Sequence, residues 1–152
     1  MRKSALKLLA FTAAAVPALA FANPAHEARA HLHAIARGDV PAIMADYSPA
    51  AVFQWVGGPL NGDYRGTPAI RQVWHKFAKA NGPLRIKIWD MKVAANPAGA
   101  TVTADVVFKG MKPIPVRYVM TFRQGVLVDE IWQIDPHLLK LMHKHEMASG
   151  GY

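Results

Sequence analysis

The chain has 152 residues, with 18 Lys and Arg, 10 Asp and Glu, seven His and no Cys. This length fits one domain, and the fold must rely on its own apolar core because no disulfide can form. The net charge of +8 is spread along the chain without a basic run, so the composition gives no nucleic-acid footprint and we expect no nucleic acid among the partners.

The first 22 residues have the pattern of a secretory signal peptide. A basic start precedes an uncharged apolar run from Leu8 to Leu19, and Ala20-Phe21-Ala22 is a small-x-small cleavage site. The run is shorter than the roughly 20 apolar residues that span a bilayer, which argues against a membrane anchor. We expect cleavage after Ala22, with cleavage after Ala20 as the alternative. Cleavage removes three basic residues and no acidic ones, which lowers the net charge to +5.

Three helices are predicted in the first half of the mature chain. The first covers Ala25 to Arg37 and ends at Gly38. The second is short, with Asp39 as its N-cap and Pro41 in its first turn, and it ends at Ser48-Pro49. The third runs from Thr67 to about Ala80; the Thr67 hydroxyl is the predicted N-cap, and Pro68 suits the first helical position. Its apolar stripe consists of Ile70, Val73, Trp74 and Phe77.

Strands dominate the rest of the chain. Apolar residues alternate with polar ones over Thr101–Lys109 and Ile114–Arg123, which is typical of strands with one buried face. Gln124-Gly125 is a predicted hairpin turn. A helix over Pro136–Met147 is the predicted C-terminal element. The other predicted strands are 51–56, a short one around 63–64, 84–95 and 126–135. Helices first and then an antiparallel meander predict an α+β domain.

Three stretches in this order resemble one known family. They are ARGDVPAIMADYSPAAVFQWV, YRGTPAIRQVWHKF and TFRQGVLVDEIWQID, and together they resemble the nuclear transport factor 2-like superfamily, in its SnoaL-like branch. The resemblance covers about Ala25 to Asp135 and implies a SnoaL-like domain over 23–152. It also implies a cystatin-like α+β cone, in which a curved antiparallel sheet wraps around three N-terminal helices and leaves a cavity at the wide end.

The family resemblance does not fix an activity, because its members include ketosteroid isomerases, polyketide cyclases, scytalone dehydratases, limonene epoxide hydrolases and non-catalytic binding domains. The helix-one tyrosine of the ketosteroid isomerases falls on His31, their general-base aspartate on Trp55 and their proton-donating aspartate on Tyr118. None of the three matches, so no catalytic role is carried over. The epoxide hydrolases use two aspartates with an arginine between them; Asp105 and Arg117 fit in part, but a second aspartate is not evident.

A group of polar-tipped and aromatic residues gives the candidate site. His31 lies on the buried stripe of the first helix. Each candidate taken singly fits the core better than a ligand contact, whereas the group suits an apolar ligand held by a few polar tips. His31, Asp105 and Tyr118 are the catalytic candidates, with Asp105 the best general base if its face of the sheet is the concave one. Asp129 and Glu130 should point to opposite faces of their strand. The predicted ligand-binding residues are His31, Tyr47, Trp55, Tyr118 and Trp132.

No cofactor and no metal are expected. His31-x-His33 and His143-x-His145 fall on predicted helices, where a spacing of two turns the side chains about 200° apart and prevents joint ligation.

The leading hypothesis is therefore an exported, periplasmic or secreted domain that binds a small apolar molecule in an aromatic-lined pocket. One alternative is a SnoaL-like lyase, isomerase or hydrolase, and the other is a structural or partner-binding module whose cavity is filled by its own side chains. The strand 84–95 has apolar residues on both faces, which also predicts a homodimer through the sheet. By simple alternation, one face carries Trp89, Met91 and Val93, and the other carries Leu84, Ile86 and Ile88.

Export gives the first testable prediction. Because the predicted cleavage site ends at Ala22, N-terminal sequencing of protein recovered from the periplasm or the medium should begin at Asn23. A cytoplasmic protein that retains Met1 would contradict it.

Overall fold

The computed structural model describes residues 23–149, so the predicted signal peptide lies outside the described residues. No helix in this part of the chain combines the length and apolar character needed to cross a bilayer. The elements are α1 Pro24–Arg37, α2 Val40–Ala45, β1 Tyr47–Val56, β2 Gly62–Arg65, α3 Thr67–Asn81, β3 Arg85–Asn96, β4 Gly99–Lys109, β5 Pro113–Arg123, β6 Val126–Ile134 and α4 His137–Ser149.

The helix ends follow from local capping. The Asn23 side chain accepts hydrogen bonds from the backbone N–H groups of Ala25 and His26, and it caps α1. Gly38 ends that helix in the left-handed conformation, and the Asp39 side chain caps α2 as predicted. The prediction for α3 was wrong at its first residue: Gly66 is the N-cap, without a side-chain hydrogen bond, and Thr67 is already helical.

The six strands form one curved sheet in the order β2-β1-β6-β5-β4-β3. The α+β prediction is confirmed, although the pair β1–β6 is parallel within an otherwise antiparallel sheet. β1 lies second from one edge of the sheet, between β2 and β6, because the chain passes through α3 and the meander before β6 returns beside β1.

The sheet has an inner face, which packs against α1, α2 and α3, and an outer face on its other side. The inner-face residues of β4, such as Val102, Val106 and Phe108, join Leu32, Ile35 and the apolar stripe of α3 in one core. On the outer face, α4 packs against β4 and β5 and buries Leu138 and Met142 near Val107. The predicted C-terminal helix therefore covers part of the surface through which a homodimer was expected.

A β-bulge in β3 changes which residues face outward. The register with β4 shifts between Trp89 and Lys92, and Asp90 has a positive φ of 49°. Trp89 lies opposite Asp105 on the outer face, whereas Met91 packs against the inner core. The expectation that Trp89, Met91 and Val93 share one face was therefore wrong, because simple alternation does not continue through a bulge.

Gly99, the first residue of β4, provides a test of the sheet register. It has a φ of 151°, and a Cβ at this position would overlap the backbone carbonyl oxygen of Phe122. We expect Gly99→Ala to lower the free energy of unfolding by more than about 2 kcal/mol in urea denaturation, because backbone cannot move aside as a flexible side chain can. The control is Gly125→Ala, which also has a positive φ but meets nothing within 4 Å and should cost only about 1 kcal/mol. Equal losses for the two variants would contradict the register.

Candidate functional site

The centre of the candidate site is the carboxylate of Glu130, which is fully buried on the inner face of β6. The hydroxyl of Tyr47 donates to its Oε2, and the hydroxyl of Tyr118 donates to its Oε1. The Nε2 atom of His31 lies 3.1 Å from the same Oε1. An unpaired carboxylate at this depth would be strongly destabilising, so these donors are what allows Glu130 to be buried.

Two further contacts extend this Glu130 cluster, which we define as Glu130, His31, Tyr47, Tyr118, Trp74 and Asp46. The indole N–H of Trp74 donates to the Tyr47 hydroxyl at 2.9 Å. The Nδ1 atom of His31 lies 2.8 Å from Oδ2 of Asp46, whose side chain is 39% exposed. His31 therefore connects a buried carboxylate to one that water reaches.

The members of the cluster are brought together from several elements of the fold. His31 lies on the buried stripe of α1, and Tyr47 is the first residue of β1, directly after Asp46. Tyr118 lies on β5, where it pairs with Trp132 of β6, next to the pair that joins Met120 and Glu130. Side chains two residues apart on a strand share a face, so Glu130 and Trp132 both point inward.

The electrostatics of the cluster favour a charged histidine. Burial by itself lowers the pKa of His31, but the negative charge of Glu130 and the hydrogen bonds to Asp46 and Glu130 outweigh it and raise the pKa to about 9. Both ring nitrogens then carry protons, and each donates to a carboxylate. To contact a ligand as a neutral ring at neutral pH, His31 would need a pKa near the ordinary value of about 6.5. The two carboxylates raise its pKa above that value.

The two tyrosines remain hydrogen-bond donors. Burial, reinforced by the charge of Glu130, raises the pKa of Tyr47 and of Tyr118 well above the ordinary tyrosine value. Neither hydroxyl can therefore lose its proton near neutral pH.

An aromatic cluster adjoins the Glu130 cluster on its apolar side. The rings of Trp55 and Trp132 stack with centroids 4.4 Å apart, and Phe108 stacks on Trp132 at 5.1 Å. The Tyr118 ring meets the edge of Trp132 at 5.6 Å, which joins the two clusters. The members of this aromatic cluster are Phe53, Trp55, Trp74, Phe77, Phe108 and Trp132.

One polar atom in the aromatic cluster lacks a partner. Among the described residues, the indole nitrogen of Trp132 is buried and makes no hydrogen bond. Most buried polar groups in proteins are paired, so an unpaired N–H marks a place where an acceptor from outside the chain would be stabilised.

The structure brings together four of the five predicted ligand-binding residues directly and the fifth by stacking. His31, Tyr47 and Tyr118 contact Glu130, Trp132 contacts Tyr118, and Trp55 stacks on Trp132. All five are at most 7% exposed, so their rings touch one another rather than line an open space.

Asp105 is not part of this arrangement. It lies on the outer face of the sheet, where its Oδ1 accepts a hydrogen bond from Nε of Arg117 at 3.2 Å. Asp105 was a candidate general base only if its face of the sheet were the concave one, and the structure does not meet that condition. The predicted neighbourhood of Asp105 and Arg117 is present.

Sequence reasoning missed Glu130, Trp74 and Asp46 as members of the site. Trp74 was assigned to the core, and Asp46 has no local signal because its partner His31 is 15 residues earlier. Glu130 had one usable signal, since it lies two residues before Trp132, although counting in twos from Leu127 favours Asp129 instead. Within residues 23–149, no group of His, Asp and Glu side chains is arranged to hold a metal ion.

Comparisons with known proteins agree with this fold. The model of the SnoaL-like domain family matches residues 28–129. No curated protein matches the chain significantly. Similar solved structures include a nuclear transport factor 2-like protein of unknown function from Pseudomonas putida KT2440, with 18% identity, a TM-score of 0.63, and coverage of 72% of this chain and 82% of that chain.

Two other solved structures are comparably similar. One is a protein of unknown function with a cystatin-like fold from Nostoc punctiforme, with 15% identity, a TM-score of 0.63, and coverage of 74% of this chain and 89% of that chain. The other is a ketosteroid isomerase-like protein from Erwinia carotovora atroseptica, with 20% identity, a TM-score of 0.59, and coverage of 74% and 94%. At these identities the likeness concerns the fold.

The raised pKa of His31 predicts how stability depends on pH. A pKa raised from 6.5 to about 9 gives stability that is fully present below about pH 6.5 and is lost as the pH rises through about 9. The loss should be on the order of 3 kcal/mol, as 1.36 kcal/mol per pKa unit implies, measured as the free energy of unfolding in urea.

Two variants test whether the pH dependence of stability comes from the pair of His31 and Glu130. Glu130→Gln should flatten the pH dependence, because it removes the charge that raises the pKa of His31. His75→Gln, at an exposed position on α3, should retain the slope of the unmodified protein. A flat profile for the unmodified protein between pH 6.5 and 9.5 would mean that His31 is not held as a cation.

Proposed function

Because the chain belongs to the SnoaL-like domain family, we propose that it binds a small, mostly apolar molecule between the aromatic cluster and the Glu130 cluster. The observation that carries this proposal is the buried, unpaired indole N–H of Trp132. The Trp132 ring contacts the rings of Trp55 and Phe108 and also that of Tyr118, so this place suits a ligand with an apolar body and one hydrogen-bond acceptor.

The apolar part of the ligand would contact Trp55, Phe77 and Phe108, which surround Trp132. Burial there would contribute on the order of 25 cal/mol per Å² of apolar surface. The polar end would face Tyr118, whose hydroxyl is fixed by Glu130. Because a fixed donor set loses little entropy on binding, it favours a ligand of one orientation.

The ligand has to displace at least one ring, since the interior rings are in contact. The observed affinity would then be lower than the intrinsic affinity by the fraction of molecules in the opened state. The partly exposed Asp46, which contacts His31, is the nearest water-accessible surface to the buried members of the Glu130 cluster, and we place the entry on the side of Asp46.

We further propose that the domain acts outside the cytoplasm. The support is the signal-like pattern in the first 22 residues, together with the position of Asn23. That residue is the N-cap of α1, so cleavage after Ala22 would leave the described domain complete from its first capping residue. A homodimer through the outer face remains a prediction of the sequence; half-buried Val52, Val119 and Ile131 lie on the part of that face formed by β1, β6 and β5.

Catalysis is a second candidate function, favoured by one specific observation. Glu130 is a buried carboxylate connected through His31 to the partly exposed Asp46, and such an arrangement can accept a proton and return it to water. A lyase or isomerase that removes a proton beside a carbonyl would use Glu130 as the base and Trp132 N–H as the donor to the carbonyl oxygen. The Erwinia protein of similar fold is described as ketosteroid isomerase-like.

The ligand proposal is tested with a series of cyclic ketones of increasing size, each paired with the hydrocarbon of the same skeleton. We expect one size class of ketone to raise the melting temperature and change the tryptophan fluorescence. The ketone should bind about fivefold more tightly than its hydrocarbon, since one buried hydrogen bond contributes about 1 kcal/mol.

Trp132→Phe should abolish this preference for the ketone while keeping the apolar surface. Trp89→Phe on the outer face is the matched control and should leave the preference unchanged. Exchange of the ketone α-hydrogens in D₂O that is lost in Glu130→Gln would establish the catalytic candidate. If no member of the series changes either signal, the structural or partner-binding module remains, with the interior filled by its own side chains.

A further inference from the structure

A cleft of about 620 Å³ lies on the outer face of the sheet, between β3–β4 and α4. We call it the outer cleft. Its volume falls within the range of small-molecule sites in proteins. It is separate from the interior clusters, because Asp105 and Trp89 on its floor point to the opposite side of the sheet from Tyr118 and Trp132. Its main lining residues are Lys87, Trp89, Asp90, Asp105, Leu141 and Met142.

The apolar wall of the outer cleft is accessible to water. Trp89 is partly exposed, in contrast to Trp55, Trp74 and Trp132, which are buried in the core. Across the cleft, Leu141 of α4 is 43% exposed. An indole and a leucine that face the same space without filling it leave a surface on which a flat apolar group can be held.

The least exposed charge in the outer cleft is negative. The Asp105 side chain is only 11% exposed, whereas its partner Arg117 is 51% exposed. Arg117 Nε donates to Oδ1, and among the described residues Oδ2 of Asp105 has no hydrogen-bond donor. Lys87 is paired with Glu146 at 2.7 Å, and Asp90 with Lys92 at 3.2 Å, in contacts that water screens more strongly.

Two properties of this region mark it as more than ordinary surface. Burial raises the pKa of Asp105, and the charge of Arg117 opposes that shift only in part. Asp90, in the β3 bulge, has the left-handed φ of 49° that a non-glycine residue adopts at a cost. Strained backbone of this kind is found preferentially at functional sites, and here it directly follows Trp89, which the regular pairing from Arg85 onward places on the outer face.

We propose that the outer cleft is a second binding site, specific for a small organic cation in which a protonated amine is attached to an aromatic or apolar body. The amine would donate to Oδ2 of Asp105 and lie against the indole face of Trp89, where a cation is attracted by the ring electrons. The apolar body would rest between Trp89 and Leu141. Nothing in this site depends on a ligand in the interior.

The test uses the mature protein and 2-phenylethylamine as the probe. The indole N–H resonance of Trp89, assigned with Trp89→Phe, is followed in ¹H–¹⁵N spectra during the titration. We expect a saturable shift of this resonance, with the Trp132 indole resonance unchanged. The neutral isostere 2-phenylethanol should bind about tenfold more weakly, because it lacks the charge-assisted hydrogen bond.

Asp105→Asn should weaken binding of the amine by about tenfold or more and leave binding of the alcohol nearly unchanged. If this variant does not fold, Leu141→Lys serves in its place, since it adds a cation at an exposed position and should also weaken amine binding. Asp63→Asn, an exposed carboxylate paired with Arg65 on β2, is the control and should bind as the unmodified protein does. No saturable shift of Trp89, equal affinity for amine and alcohol, or a shift of Trp132 instead would overturn the proposal.

Discussion

The burial of the Glu130 carboxylate is the constraint on which the arrangement of the interior depends. Moving such a group out of water costs several kcal/mol unless its oxygens are paired. Here the pairing is spread over α1, β1 and β5, through His31, Tyr47 and Tyr118. None of these three elements can move relative to β6 without leaving a charge or a donor unpaired, so the cluster fixes the position of α1 on the sheet more specifically than apolar contacts alone would.

The same constraint explains the position of Asp46. A charged His31 inside the core is balanced by one buried carboxylate and by a second that is partly exposed. Asp46 directly precedes Tyr47, and the backbone N–H of Leu127 donates to the Asp46 carbonyl oxygen at 2.8 Å. The turn between α2 and β1 therefore contributes two members of the cluster, Asp46 and Tyr47. Its hydrogen bond to Leu127 holds it beside the beginning of β6, the strand that carries Glu130.

Much of the fold could be predicted from the sequence because its signals are local. The apolar stripe of α3 and the alternation in β4 and β5 each depend on a few neighbouring residues, and the structure has these elements within one or two residues of the predicted bounds. Two failures have local causes. The sequence does not distinguish Thr67 from Gly66 as the N-cap of α3. No residue pattern in β3 predicts the bulge at Asp90.

The site was harder to predict because β6 gives two conflicting signals. Counting in twos from the apolar Leu127 places Asp129 on the inner face, whereas counting back from Trp132 places Glu130 there. The register shifts between Thr121 and Phe122 of the partner strand, where one additional residue is accommodated in β6. As a result both Leu127 and Glu130 are buried on the inner face, and only the three-dimensional pairing decides this.

Bulges thus determine which chemistry each face of this sheet presents. The irregularity in β6 lets Glu130 face inward although Leu127 does so too, and the one in β3 turns Met91 inward although Trp89 faces outward. Each places a residue on the inner face where regular alternation would have placed it on the outer face. The inner face holds the carboxylate of Glu130, whose two oxygens accept from donors of its own chain. On the outer face, the Asp105 carboxylate has one oxygen to which no group in residues 23–149 donates. The Glu130 carboxylate can bind a ligand only after its present partners rearrange. The Asp105 carboxylate, which lies beside the accessible indole of Trp89, can bind a ligand without any change of the fold.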